Sequence, residues 1–496
     1  MGTIDSCPPP FNPMSSPPKK VLLVTPPYHY GLTDVLGRWI PLNLVYLAGA
    51  ARQAGADPEI YDAQVLSHGF PEIEAKLAAA SPDVVAVGAV TAAVNDALRI
   101  LELAKKLNPA TVTVLGGVHA SFLYREILES SPAVDFVALG EGEATFRELL
   151  ETLSESGDPK AVAGLALRQG ERIVTSAARA PELDLDRLPA AWDLLDWSNY
   201  RYQVLPDSRL GSIATSRGCA HDCSFCSQQL FWGHSWRGRT PAAVVEEIAL
   251  LHGRYGVDVL QLTDEHPTRD PKRWEALLDL LIEHALPVRL ILETRVSDLI
   301  RDRDIIAKYK KAGVIHVSIG VESLEQARLD EVHKGQRVEE AQQAVELLRE
   351  NGIVSEISLV LGFPDDTQQT VAQALRFAQL LNPDSANFLP LTPWPYTPLY
   401  RELNELIRET DFSRYNLIDP VLEPHGMTLA QLDLALTDCF RKFYMGKVFE
   451  VMTMKDEFRR GYMVRATKLI MASAFVMKKF GMLVKAMMPG KLGGKK

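Results

Sequence analysis

Three cysteines fall within one short run, SRGCAHDCSFC, at Cys219, Cys223 and Cys226. This C-x3-C-x2-C spacing brings three thiolates together on a single loop, and thiolates are the ligands of iron–sulfur clusters. A cubane held by three protein thiolates leaves its fourth iron open to a small ligand, which makes it a reaction centre rather than a structural staple. The alternative is a closed zinc site with His221 or His234 as fourth ligand, at a spacing unusual for zinc. Cys7 and Cys439 have no such neighbours and read as incidental. Five cysteines in 496 residues make no disulfide framework, so a reducing compartment is expected.

The elements that must position this loop follow a pattern. From Gly211 onward six apolar runs alternate with helical stretches: SIATSRGC, VDVLQLTDE, VRLILETRV, VIHVSIGVES, SEISLVLGFP and SANFLPLTP. Six such units predict an α/β fold of the partial TIM-barrel kind, (β/α)6, whose chemistry sits on loops at the C-terminal ends of the strands. The polar residues at those ends are Cys219, Asp264 and Glu265, Glu293 to Arg295, Ser318 to Glu322, and Gly362 to Asp365. Each acidic residue there is equally what a helix N-terminus favours on its own account.

Ahead of the barrel, residues 19–155 alternate β-branched runs (KKVLLVTPP, DVVAVGAV, TVTVLGG, DFVALGEGE) with amphipathic helices, the pattern of a doubly wound, Rossmann-like parallel sheet. Residues 1–18 read as a disordered tail, 156–205 as a connector with a hairpin, 206–400 as the barrel, and 401–496 as a helical region. Beyond Phe458 that region carries ten Lys or Arg and no carboxylate. It reads either as a basic amphipathic helix making a peripheral membrane contact or as a cover for the barrel. The net charge of −10 argues against a nucleic-acid partner. Neither a secretory leader nor an apolar run long enough to cross a bilayer is evident, so a cytoplasmic chain is expected.

The cysteine loop, with Phe225 as its aromatic, resembles that of the radical S-adenosylmethionine (SAM) superfamily. The resemblance implies a [4Fe–4S] cluster on Cys219, Cys223 and Cys226. SAM would chelate the open iron and be cleaved to methionine and a 5′-deoxyadenosyl radical. It further implies SAM contacts from Phe225, Asp264, Glu265, Arg295, Ser318 and Glu322. The preceding domain, with GGVH at 116–119 and GEGE at 140–143, is similar to the cobalamin-binding domain of one large subfamily. Thr91, Gly116, Gly117 and Gly142 are then expected at the corrinoid. No D-x-H-x-x-G triad is present, so the resemblance reads the cobalt as lacking a histidine ligand, with His119 packed or solvent-facing.

A longer resemblance, carried by GGVHASFLYREIL, CSFCSQQLFW, TRVSDLIRD, AGVIHVSIGVES, TPWPYTPLYREL and DFSRYNLIDP, points to the anaerobic magnesium-protoporphyrin IX monomethyl ester cyclases of bacteriochlorophyll biosynthesis. It implies a tetrapyrrole substrate, water as the source of the ketone oxygen, and an electron donor such as flavodoxin or ferredoxin. Phe231, Trp232, Trp394 and Tyr396 are positioned to line a flat pocket or to fill barrel core. Gln228, Gln229, Leu230 and His266 depart from the pattern, as does the chain after Met445. Two other readings therefore stay open: a cobalamin-dependent radical methyltransferase on another substrate, and a non-catalytic cobalamin or redox sensor.

Overall fold

A computed structural model describes residues 20–28, 33–473 and 479. The expected disordered tail and most of the chain beyond residue 473 lie outside the described residues. The chain divides into two compact units: Met1–His29 with Pro41–Asn199, and Tyr30–Ile40 with Tyr200–Lys496.

In the first unit, strands β1 (Lys20–Val24), β2 (Asp57–Tyr61), β3 (Val84–Gly88), β4 (Val112–Gly116) and β5 (Phe136–Ala138) are parallel. The antiparallel pair β6 (Leu165–Gln169) and β7 (Arg172–Thr175) extends the edge. The order β2-β1-β3-β4-β5-β6-β7 reverses direction between β1 and β3, the switch point at which such sheets open a ligand crevice. Strands such as VVAVG are buried on both faces, so their apolar residues need not alternate. The hairpin read from the sequence as part of a connector is thus the edge of this sheet, and the unit continues to Asn199. The reason is chemical: β6 keeps the backbone groups of β5 paired and buries Leu165 and Leu167 in the same core.

The second unit holds six parallel strands in sequential order: β8 (Leu210–Ile213), β11 (Val259–Leu262), β12 (Arg289–Arg295), β13 (Val314–Glu322), β14 (Val354–Leu361) and β15 (Ser385–Pro390). This is the expected partial barrel. A separate ribbon of β9 (Ser216–Gly218) and β10 (Trp236–Gly238) branches off after β8. Residues 33–40 pack here as well, with Gly37 bridged to Tyr202.

Across the barrel interior, Leu210, Val259, Ile291 and Val354 form a base that Tyr462, Met463 and Ala466 of the helix Glu457–Ala472 plug. Over its described length this helix uses its apolar face to cover the barrel. Among the described residues no helix is long and apolar enough to cross a membrane.

Candidate functional site

The cysteine loop spans residues 219–235 and is closed by the β9–β10 ribbon, where Trp236 pairs with Gly218 and Gly238 with Ser216. Gly218 has φ +95°, and a Cβ there would meet the Ser235 carbonyl oxygen at 2.1 Å, so the entry to the loop requires glycine. Cys223 is buried, Cys219 and Cys226 are half-buried, and all three thiols are unpaired. Among the described residues no three His, Cys, Asp or Glu side chains converge on a point that would hold one ion. Burial raises the Cys219 thiol and, with the neighbouring thiols, pushes Cys226 up to about 11. These sulfurs therefore need a bound metal to become thiolates at neutral pH. Burial, Arg295 and His266 hold His221 down to about 4, so it is neutral and its ring lies 5.3 Å from that of His266.

The acidic pair after β11 holds the loop in place. Asp264, 3% exposed, accepts from the Thr215 amide (3.0 Å), the Thr215 hydroxyl (2.8 Å) and the Ser216 hydroxyl. Expected to contact SAM, it fixes the strand end that feeds the cysteines. Asp264→Ala strands a buried amide and two hydroxyls, a loss of about 1–3 kcal/mol with a looser loop, readable as reduced iron retention in reconstituted protein. Glu265 accepts from the Gly218 amide at 3.1 Å and from the Trp232 indole at 2.8 Å. Its carboxyl is raised, chiefly by burial. Trp232, expected to line a pocket, is thereby fixed to this carboxylate, and Phe231 meets it edge-on at 4.8 Å. Phe225 packs with Val332, Phe363 and Leu391, anchoring the loop to the barrel rim.

At the ends of β12 and β13, Arg295, Gly320 and Glu322 meet two residues that the sequence reading missed, Lys334 and Gln336. Arg295, 7% exposed, lies 3.7 Å from the Cys223 sulfur through Nη1 and donates from Nη2 to the Lys334 carbonyl, while its Nε has no partner. A buried guanidinium with an unused donor beside the cysteines suits a ligand carboxylate. Glu322 is paired with Lys334 at 2.6 Å, both buried, on a backbone at φ +65°. A Cβ at Gly320 would meet Glu322 Oε1 at 2.4 Å and Lys334 Nζ at 2.6 Å, so that glycine makes room for the pair. Gln336 donates to the Gly320 (3.1 Å) and Val321 (2.9 Å) carbonyls. Glu322, expected near the ribose, is thus tied to lysine, and Ser318, expected beside it, lies deeper and donates to Glu356 at 2.7 Å. No motif signalled Lys334 or Gln336, because they lie in the VHKGQR turn, away from any strand end.

In the first unit, glycines gather at the C-terminal ends of β3, β4 and β5. Gly117 has φ +98°, and a Cβ would sit 2.4 Å from the Ala89 carbonyl oxygen. Gly140 (φ +72°) faces open space, and Gly116 and Gly142 have no close obstruction. Ser121 ties the two glycine loops, donating to the Gly117 carbonyl (2.9 Å) and accepting from the Gly140 amide (3.0 Å). Thr91 is fully buried, with its hydroxyl 3.2 Å from His119 Nδ1. Burial holds His119 down to about 4. Bare backbone on three adjacent strand ends suits a broad ligand that must approach closely. Gly117→Ala is expected to cost more than about 1 kcal/mol and to lower corrinoid retention, measured by absorbance after gel filtration.

The family model for the B12 binding domain matches residues 28–150, and that for the radical SAM superfamily matches residues 213–378. The anaerobic magnesium-protoporphyrin IX monomethyl ester cyclase of Rubrivivax gelatinosus is 35% identical over 465 residues, covering 92% of this chain and 83% of that one. This chain belongs to the cobalamin-binding radical SAM enzymes. An uncharacterized methyltransferase of Pyrococcus horikoshii is 31% identical, with 86% and 92% covered. The solved cobalamin-dependent SAM radical enzyme OxsB, bound to aqua-cobalamin and SAM, matches with a TM-score of 0.68 at 15% identity over 95% of this chain and 75% of that one, a likeness of fold. The cofactors of this radical SAM enzyme are a [4Fe–4S] cluster, SAM and cobalamin.

Proposed function

We propose that this enzyme closes the isocyclic ring of magnesium-protoporphyrin IX monomethyl ester without dioxygen. The observation that carries the reading is the 35% identity to two proteins named as that cyclase, from Rubrivivax gelatinosus and Cereibacter sphaeroides, over 92% and 90% of the chain. In this reading Cys219, Cys223 and Cys226 hold the cluster. Arg295 receives the carboxylate of SAM through its free Nε, and Phe225 and Glu265 shape that pocket. Gly116, Gly117 and Gly142 admit the corrinoid. Together the cofactors supply a carbon radical on the substrate and an acceptor for its electron. The protein's own part is to hold these groups, exclude water from the cysteine loop, and handle the protons of the reaction. A flavodoxin- or ferredoxin-like protein supplies reducing electrons.

A second reading, methyl transfer to another substrate, is favoured by the methyltransferase of Pyrococcus horikoshii at 31% identity. The two differ in their adenosyl products. An anaerobic assay with reductant, SAM, cobalamin and the magnesium porphyrin ester is expected to give a ring-closed pigment and 5′-deoxyadenosine without S-adenosylhomocysteine. A methylated product accompanied by S-adenosylhomocysteine would replace the cyclase by the methyltransferase. Cobalamin binding without any SAM cleavage would favour the sensor.

A further inference from the structure

Barrel interiors are normally filled with branched apolar side chains in layers. Here the base layer follows that rule except at His316, which stands between Ile291 and Val354. One step toward the strand ends, Glu293 of β12, Ser318 of β13, Glu356 of β14 and Ser385 of β15 stand in a single register row on the same inner face. Above them come Arg295, Gly320, Ser358 and Asn387. Glu293 is exposed to this lumen. Glu356 accepts from Ser318 at 2.7 Å and from Asn387 at 3.0 Å. Below, His316 is 8% exposed and its Nε2, 3.8 Å from Glu356 Oε2, has no hydrogen-bond partner. Its Nδ1 shares a 2.8 Å hydrogen bond with the Tyr462 hydroxyl, which is bonded in turn to Tyr202. A buried imidazole nitrogen aimed at a carboxylate, beneath a second carboxylate open to the lumen, is a place built to hold a polar ligand and pass a proton.

We propose that Glu293, in one register row with Glu356, is the proton acceptor for the water that this enzyme adds to its substrate. The inference rests on the cyclase reading, in which water supplies the ketone oxygen. After hydrogen abstraction and loss of one electron to a corrinoid or iron–sulfur acceptor, the substrate carbon is electron-deficient. The water oxygen forms a bond to that carbon, one O–H bond breaks, and the proton goes to the Glu293 carboxylate. Ser318 and Asn387 hold Glu356 in place in the same row, and His316 and Tyr462 lead away toward the barrel base.

The charges around Glu293 suit this role. Burial within the barrel, Glu356, Glu265 and Glu322 raise its carboxyl to about 7, opposed by Lys334, with Arg295 and His316 on the adjoining layers. Its basic form therefore accumulates as pH rises through neutrality, and the water-adding step should rise with it.

Two measurements test this. Infrared difference spectra of the holoenzyme, wild type minus Glu293→Gln, should show a protonated-carboxyl band that disappears between about pH 6 and 8. No such band in that range would overturn the assignment. In turnover with 18O-labelled water, Glu293→Gln should lower oxygenated product per 5′-deoxyadenosine by about 10²–10³-fold and abolish the pH inflection, with Glu293→Asp partly restoring both. An unchanged ratio would overturn the proposal. If the wild type itself incorporates no water oxygen, the cyclase reading fails, and with it the water-acceptor role, while the infrared band separately judges whether the lumen pair holds a proton.

Discussion

Cys223→Ala should leave a folded protein that assembles no [4Fe–4S] cluster and cleaves no SAM. Cys223 is the middle thiol of the loop, 6% exposed, with its sulfur 3.7 Å from both Arg295 Nη1 and the His333 carbonyl. Its loss removes one of three ligands and leaves the Arg295 guanidinium facing a void instead of a sulfur. The loop itself should persist, because the β9–β10 ribbon, Asp264 and the packing of Phe225 hold it independently of the metal. Iron and sulfide content and visible absorbance should therefore fall to background after anaerobic reconstitution, while circular dichroism stays as in the wild type. The control is Cys439→Ala, whose sulfur is buried in the helix Leu429–Thr453 against the Val371 carbonyl at 3.7 Å. That variant should keep its full iron content.

Arg459→Ala should destabilise the barrel unit by about 3–5 kcal/mol, without touching any residue that holds a cofactor. Arg459 meets Asp384 with two hydrogen bonds, Nη2 to Oδ1 at 2.6 Å and Nε to Oδ2 at 3.2 Å. Their side chains are 8% and 1% exposed. Asp384 also accepts from the Ser355 amide at 3.0 Å, so it locks β14, the start of β15 and the C-terminal helix together. Removing the arginine leaves that carboxylate buried and uncompensated, the costly way to break such a pair. The double variant Arg459→Met with Asp384→Asn should recover much of the loss. Urea denaturation of the full chain followed by tryptophan fluorescence would show the order: double variant more stable than Arg459→Ala, and both below wild type.

The cysteine triad, the six-stranded barrel and the doubly wound domain were legible because each writes itself in local pattern: thiol spacing in one loop, and apolar runs at strand length. What the sequence concealed depends on long-range pairing. The β9–β10 ribbon joins residues on either side of the cysteine loop, and neither partner is a convincing strand alone. The hairpin at 165–175 reads as a separate piece until it is seen to cover the edge of β5. Side-chain roles were the least legible. Asp264 and Glu322 carry the residue types expected of ligand contacts, but nothing in their local sequence signals that their carboxylates bond Thr215, Ser216 and Lys334. Glu293 was visible at a strand end, but Ser318 and Glu356 come from other strands, and only the register brings the three into one layer.

The most direct test of the account is the origin of the oxygen in the product. Anaerobic turnover of magnesium-protoporphyrin IX monomethyl ester in 18O-labelled water, read by mass spectrometry, is predicted to give a ring-closed ketone carrying the label, with 5′-deoxyadenosine as the adenosyl product. A methylated product, or 5′-deoxyadenosine formed with no change in the porphyrin, would contradict the cyclase while leaving the radical SAM enzyme and its cysteine loop intact.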